Sequence, residues 1–414
     1  MRPALVAFLV AATAGPAAAD PVLATLIDES LAARPELREA AARARAEHAR
    51  VGGAEALPAP ALTLGMQNDG FDGIELGRMG TSYLSIMFTQ ALPWPGKRAL
   101  RGDVARLSAR EAELALGRVR LSTVAQVRRA YLELLLARDR MALLERQAGL
   151  WETAEGVARA RYEVGAAPQS DVLRGQLELS RAAQARARLE AEARVQVQRL
   201  NRLRSRALDT PIATRTTLAD LPDPEPGSAR DLDDAEERSP ELAEATLVAR
   251  RAERSLALAR REEYPDFVVS AGVMPRGAIE PMWQLAVSVE LPVLWGRTAR
   301  AAAVGERDAL AAAEHEAAGA VAQKLAERVA ERGASLSATL AVLRVYRDGL
   351  LVQSQATVES TLAQYRVGAV GFAAVIEALT GQLRDEDEYL QAQAAAQRIA
   401  IARDEVSLEP AGGM

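Results

Sequence analysis

The residue types that usually carry chemistry are sparse in this chain and poorly spaced for it. Cysteine is absent, which removes disulfides, thiolate metal sites and cysteine nucleophiles together. The two histidines, His48 and His315, sit in helical patterns as solvated surface residues, and the eight methionines are scattered with no ligand spacing. Pro95-Gly96-Lys97 lacks the upstream glycine and the following Ser/Thr of a phosphate loop, and no glycine-rich dinucleotide turn occurs. No catalytic function, cofactor or metal site is expected. With 51 basic against 56 acidic residues, a net charge of -5 and only Lys97 and Lys324 as lysines, there is no basic stripe for nucleic acid either.

What recurs instead is punctuation. Arg161-Tyr162-Glu163-Val164-Gly165-Ala166 returns as Gln364-Tyr365-Arg366-Val367-Gly368-Ala369, each a run closed by a glycine suited to a left-handed helix end. After the first, Pro168 and Ser170-Asp171 restart a helix, with Ser170 expected as its N-cap. Leu92-Pro93-Trp94-Pro95-Gly96-Lys97 is echoed by Leu291-Pro292-Val293-Leu294-Trp295-Gly296, and Arg34-Pro35-Glu36-Leu37 by Ser239-Pro240-Glu241-Leu242. Landmarks in one order at offsets of 199 to 205 residues define a tandem duplication.

The elements that position these landmarks follow from periodicity. Each half reads helix, two strands, long helix, tight turn, helix. The first repeat spans 20–208, with strands at about 60–68 and 81–91 and a long helix at about 97–164. A Pro- and Asp-rich linker covers 209–239. The second repeat spans 240–406, with strands at about 266–274 and 283–291 and an unbroken helix over 297–367, and 407–414 form a tail. Leu100, Leu107, Leu114 and Leu121 recur at heptad spacing, the mark of a coiled-coil-like wall. At about 1.5 Å per residue such a helix runs to roughly 100 Å. In each half the long helix nearly matches the summed length of two shorter ones, and the linker is the candidate to fill the gap between them. Residues 1–19 read as a signal peptide: Arg2, an apolar run and Ala17-Ala18-Ala19 before Asp20.

The strands alternate: Leu62, Leu64 and Met66 against Thr63, Gly65 and Gln67, and likewise in the other three. That fits either a small sheet with one face on a core or part of a transmembrane barrel with one face on lipid. Four strands close no barrel, and an open edge is not tolerated in hydrocarbon. A barrel would therefore be shared among copies, eight strands from two or twelve from three.

Export, duplication, paired strands before a very long helix, the Leu-Pro-Trp-Pro-Gly-Lys exit and the Tyr-x-Val-Gly turns together resemble the TolC-like outer-membrane efflux proteins, over essentially the whole exported chain. The resemblance implies a mainly α fold with a transmembrane β-barrel contribution. A homotrimer would form a twelve-strand barrel in outer-membrane lipid and a twelve-helix tunnel across the periplasm. It would be a passive exit duct of a tripartite efflux or type I secretion-like assembly, docking a periplasmic adaptor and an inner-membrane pump of RND or ABC type. The resemblance further implies that Tyr162, Val164, Gly165, Ser170, Tyr365, Val367 and Gly368 meet the adaptor. Pro93, Trp94, Pro95, Gly96, Pro292, Trp295 and Gly296 would be strand-to-helix junctions. The family's two acidic aperture positions fall on Ala374 and Glu377, so Glu377 alone would form an anionic ring, with Asp171 bracing the closed state against an arginine. The Pro-Trp-Pro-Gly-Lys junction most resembles the heavy-metal cation branch, as against drugs or other solutes. The alternative is a periplasmic coiled-coil adaptor or scaffold without channel activity.

Overall fold

A computed structural model describes residues 20–228, 230–289 and 297–408. The signal-peptide expectation and the junction residues Pro292, Trp295 and Gly296 lie outside these. The order is α1 (Pro21–Ala33), α2 (Pro35–Glu55), β1 (Ala61–Gln67), β2 (Tyr83–Leu92), α3 (Lys97–Glu163), α4 (Gln169–Leu203), α5 (Asp231–Arg238), α6 (Pro240–Arg261), β3 (Phe267–Arg276), β4 (Ile279–Val289), α7 (Arg297–Val345), α8 (Leu351–Arg366) and α9 (Phe372–Glu405). The sequence α2-β1-β2-α3-α4 recurs as α6-β3-β4-α7/α8-α9, so the duplication is structural. No helix among the described residues is long and apolar enough to cross a membrane.

Two compact units share the long helices. The first gathers residues 20–37, 119–239 and 324–408. Its main core closes around the middle of α3, where Ala130, Tyr131, Leu132, Leu134, Leu135 and Leu136 are all buried. A helix apolar on every side must be wrapped, and here α1 (Leu26), α4 (Leu200, Leu203), α9 (Ala394, Ile401) and the linker (Ile212, Leu218) supply the wrapping. The linker is held polar-side as well. The Leu218 amide donates to Asp139 at 2.7 Å, and Arg138 donates to the Ile212 carbonyl at 2.6 Å. Burial pushes the Asp139 carboxyl up.

In the second unit, residues 38–118 and 240–323, the four strands form one antiparallel sheet ordered β1-β2-β3-β4. Two boundaries differ from expectation. β3 and β4 meet through a tight turn with Gly277 at φ +68 instead of a long loop, so β4 starts at Ile279, because glycine alone enters that region without a Cβ clash. The second long helix is interrupted by a π-turn at 346–350. Gly349 weakens the helix there, and two adjacent side chains are drawn to partners: Tyr346 donates to Glu388 at 2.7 Å, and Arg347 forks onto Asp223 at 2.6 and 2.7 Å.

Candidate functional site

The sheet's register sorts its side chains into two faces. Cross-strand rows such as Leu62–Phe88–Ala271–Leu285 and Leu64–Ile86–Val273–Trp283 lie on one face. Of the side chains on that face from Leu62 to Val289, only Gln90 is polar. It is uncovered: Leu64 is 71% exposed, Trp283 76% and Leu285 62%. The opposite face carries Thr63, Gly65, Ser85, Thr89, Ser270, Gly272, Gln284, Ala286 and Ser288, mostly small or polar, together with the larger Tyr83, Met87, Val268, Met274 and Met282, and the Thr89 and Ser270 hydroxyls are 3.1 Å apart. In water this arrangement is unfavourable, since an apolar face this exposed has no cover. β1 and β4 each pair on one side only, so two rows of backbone donors and acceptors remain open.

The strand-to-helix junction is a staple between the repeats. Trp94 stacks between Tyr264 (centroids 5.3 Å apart) and Phe267 (5.5 Å). Lys97, 4% exposed, donates to Asp266 and to the Tyr264 carbonyl, both at 2.8 Å, and the Trp94 amide donates to the same Asp266 oxygen at 2.7 Å. Burial raises the Asp266 carboxyl, but the Lys97 and Trp94 bonds outweigh it and hold it below the usual range. Gly96 takes φ +95, and Arg261 donates to the Pro95 carbonyl at 3.1 Å while covering Tyr264. Pro93, Trp94, Pro95 and Gly96, expected at a strand-to-helix junction, lie between β2 and α3, and Asp266 and Arg261, which complete the staple, were not expected there. The rarity of lysine was the available signal for Lys97.

At the hairpin tips both glycines close the same motif. Ala166 N–H reaches the Arg161 carbonyl (2.7 Å) and Gly165 N–H that of Tyr162 (2.9 Å). Ala369 and Gly368 repeat this on Gln364 (2.9 Å) and Tyr365 (3.0 Å), with φ +75 and +79 at the glycines. The two tips pack into one core with Trp151, Val172, Phe372, Val375 and Leu379. The tyrosines are not equivalent. Tyr162 is exposed, whereas Tyr365 is 1% exposed, tilted on Phe372 at 5.4 Å and covered by Arg161, which donates to the Tyr365 carbonyl at 2.5 Å. Burial, then the charge of Asp171, raises the Tyr365 phenol. Tyr365 is therefore corrected from a contact residue to an internal pin, because Arg161 and Phe372 occupy its surroundings. Ser170 is corrected too: α4 starts at Gln169 with Pro168 as its extended N-cap, placing Ser170 inside the first turn. Val164 and Val367 stand out at 78% and 81% exposure. Glu377 is exposed on α9 beside buried Val375 and Leu379. Neither Glu377 nor Asp171 has an ion pair among the described residues of the single chain.

A duplicated chain with an uncovered apolar sheet face, open sheet edges and long helical hairpins leaves surfaces that water alone does not satisfy. Residues 26–205 match the family described as outer membrane efflux protein. No curated protein sequence matches it. The fold is similar to CusC, solved in a study of folding and transmembrane channel formation, with 18% identity, TM-score 0.77, 94% of this chain and 91% of that one covered. It is also similar to the outer membrane protein VceC of Vibrio cholerae (16%, 0.78, 94% and 96%) and to the open MtrE outer membrane channel of Neisseria gonorrhoeae (17%, 0.77, 94% and 89%).

Proposed function

We propose that this chain is an outer-membrane efflux channel extending into the periplasm, a passive exit duct rather than an enzyme. The observation that carries it is the four-strand face of apolar side chains left uncovered while the opposite face is mostly small or polar. Lipid covers the first, water the second. Backbone groups on the edges of β1 and β4 would each cost several kcal/mol in hydrocarbon, so the edges join copies of the same chain. An eight-strand barrel is filled by its own side chains. Twelve strands with Gly65, Ser85, Ser270, Gly272 and Ser288 inward leave a lumen, which supports a homotrimer. The long helices form a periplasmic tunnel. A water-soluble scaffold leaves the apolar face without a cover.

The tips, with Tyr162, Val164, Gly165, Ser170, Val367 and Gly368 at or near the surface, form the surface for a periplasmic adaptor, which joins the duct to an inner-membrane pump of RND or ABC type. Glu377 supplies an acidic ring at the aperture, and Asp171, beside Tyr365, braces the closed tips. The Pro93-to-Lys97 junction supports heavy-metal cations as cargo over drugs. Detergent-solubilised mass and planar-bilayer conductance test the duct: a trimer that conducts is expected, and a water-soluble, non-conducting species refutes it. Glu377→Ala is expected to change conductance or its block by multivalent cations, and an unchanged channel refutes the ring.

A further inference from the structure

Three methionines that the sequence scatters are brought together on the mostly small or polar face of the sheet. Met274 and Met282 are direct cross-strand partners of β3 and β4. Met87 of β2 pairs with Gly272, two residues from Met274 and on the same face. Direct partners have Cβ atoms about 4.5–5.5 Å apart and diagonal neighbours about 7–8 Å, within reach of an unbranched thioether chain. Gly272 leaves open space on this face, and Met87 occupies it. A Cβ built there would lie 2.3 Å from Met87 Sδ, so this sulfur is already laid over the β3 backbone, toward the strand that carries Met274. All three side chains are half-buried. The other described methionines lie elsewhere: Met66 on the apolar face, Met79 in the β1–β2 loop and Met141 in α3.

We propose that Met87, Met274 and Met282 form a thioether site for a soft monovalent cation, Ag(I) or Cu(I), on the inward wall of the duct. Thioethers are neutral, soft donors that favour Cu(I) over hard or borderline divalent ions. No group of three His, Cys, Asp or Glu that could hold a metal occurs among the described residues, so the donor sets that Zn(II) and Mg(II) prefer are not gathered here. A half-exposed, three-sulfur site holds a cation weakly enough to release it, as conduction requires. One site per chain gives a ring of equivalent sites. The proposal rests on the reading that this face lines an exit duct, and it narrows the cargo to soft cations.

The test uses the purified full chain in detergent, labelled with [methyl-13C]methionine and titrated with silver nitrate as a redox-inert probe. Three methyl signals, assigned through Met87→Leu, Met274→Leu and Met282→Leu, are expected to move together and saturate at one Ag(I) per chain. Each leucine variant, nearly volume-conserving, is expected to weaken binding at least tenfold. Gly272→Val keeps all three sulfurs but displaces Met87, and is expected to weaken binding as well. Unchanged binding in the triple leucine variant, or equal shifts of Met66, Met79 and Met141, overturns the site. Bilayer conductance on the same samples separates the two readings. Conductance without the three-signal response sinks the cation site alone, and the response without conductance upholds the site but sinks the duct.

Discussion

Leu285 lies in the middle row of the sheet, Leu62–Phe88–Ala271–Leu285, and is 62% exposed. On a protein bathed in water, Leu285→Arg would be a surface change worth within about 0.5 kcal/mol of nothing. If lipid covers the face, arginine near the midplane costs about 2–4 kcal/mol per chain. At 1.4 kcal/mol per decade that is roughly a 30- to 1000-fold loss in the folding equilibrium of each copy. Gln284→Arg is the control, because the neighbouring position points to the opposite, polar face and pairs with Gly272. The assay is reversible urea unfolding of both variants in phospholipid vesicles, read by tryptophan fluorescence, since Trp283 adjoins both positions. Leu285→Arg should shift the midpoint strongly and Gln284→Arg hardly at all, the latter changing conductance instead. Equal midpoints for the two variants would refute the assignment of faces.

The junction and the tips give further expectations. Asp266 titrates below its ordinary value when folded, so its bonds to Lys97 and Trp94 stabilise the protein above the usual carboxylate range, and this is lost as pH falls through the folded value. Asp266→Asn should flatten the acid limb of a stability-versus-pH curve between about pH 5 and pH 2, and a limb as steep as wild type would count against the staple. Gly368→Ala forces a side chain into φ +79, at about 1–2 kcal/mol, and also brings a Cβ within 3.2 Å of Arg161. Gly165→Ala meets open space and bears only the backbone cost. Thermal unfolding should therefore order wild type above Gly165→Ala above Gly368→Ala.

Much of the fold was legible because its signals are local. Proline exclusion, heptad leucines and strict alternation each report how a segment relates to its own axis, and they place β1, β2, β3 and α3, though not the start of β4 or the π-turn that splits the second long helix. The core around the middle of α3 was legible in retrospect: Ala130-Tyr131-Leu132-Glu133-Leu134-Leu135-Leu136 is too apolar all round for a two-sided helix, and the linker wraps it through Ile212 and Leu218. What escaped was pairing across long separations. Lys97 with Asp266, Arg347 with Asp223 and Met87 with Gly272 are joined only once β2 lies against β3 or the linker against α7–α8.

The two repeats show why a motif does not fix a role. Tyr162 and Tyr365 share the Tyr-x-Val-Gly context and the same glycine closure, so a sequence-level argument must treat them alike. Their environments are decided by the residue one position earlier: Arg161 in the first copy, Gln364 in the second. Arg161 crosses to the partner hairpin, bonding its backbone and covering the Tyr365 ring, and nothing in the second copy can return the contact. One tyrosine is buried as a pin and the other left exposed. The long helices diverge in the same way, α3 running unbroken while its counterpart opens into a π-turn where Arg347 grips the linker.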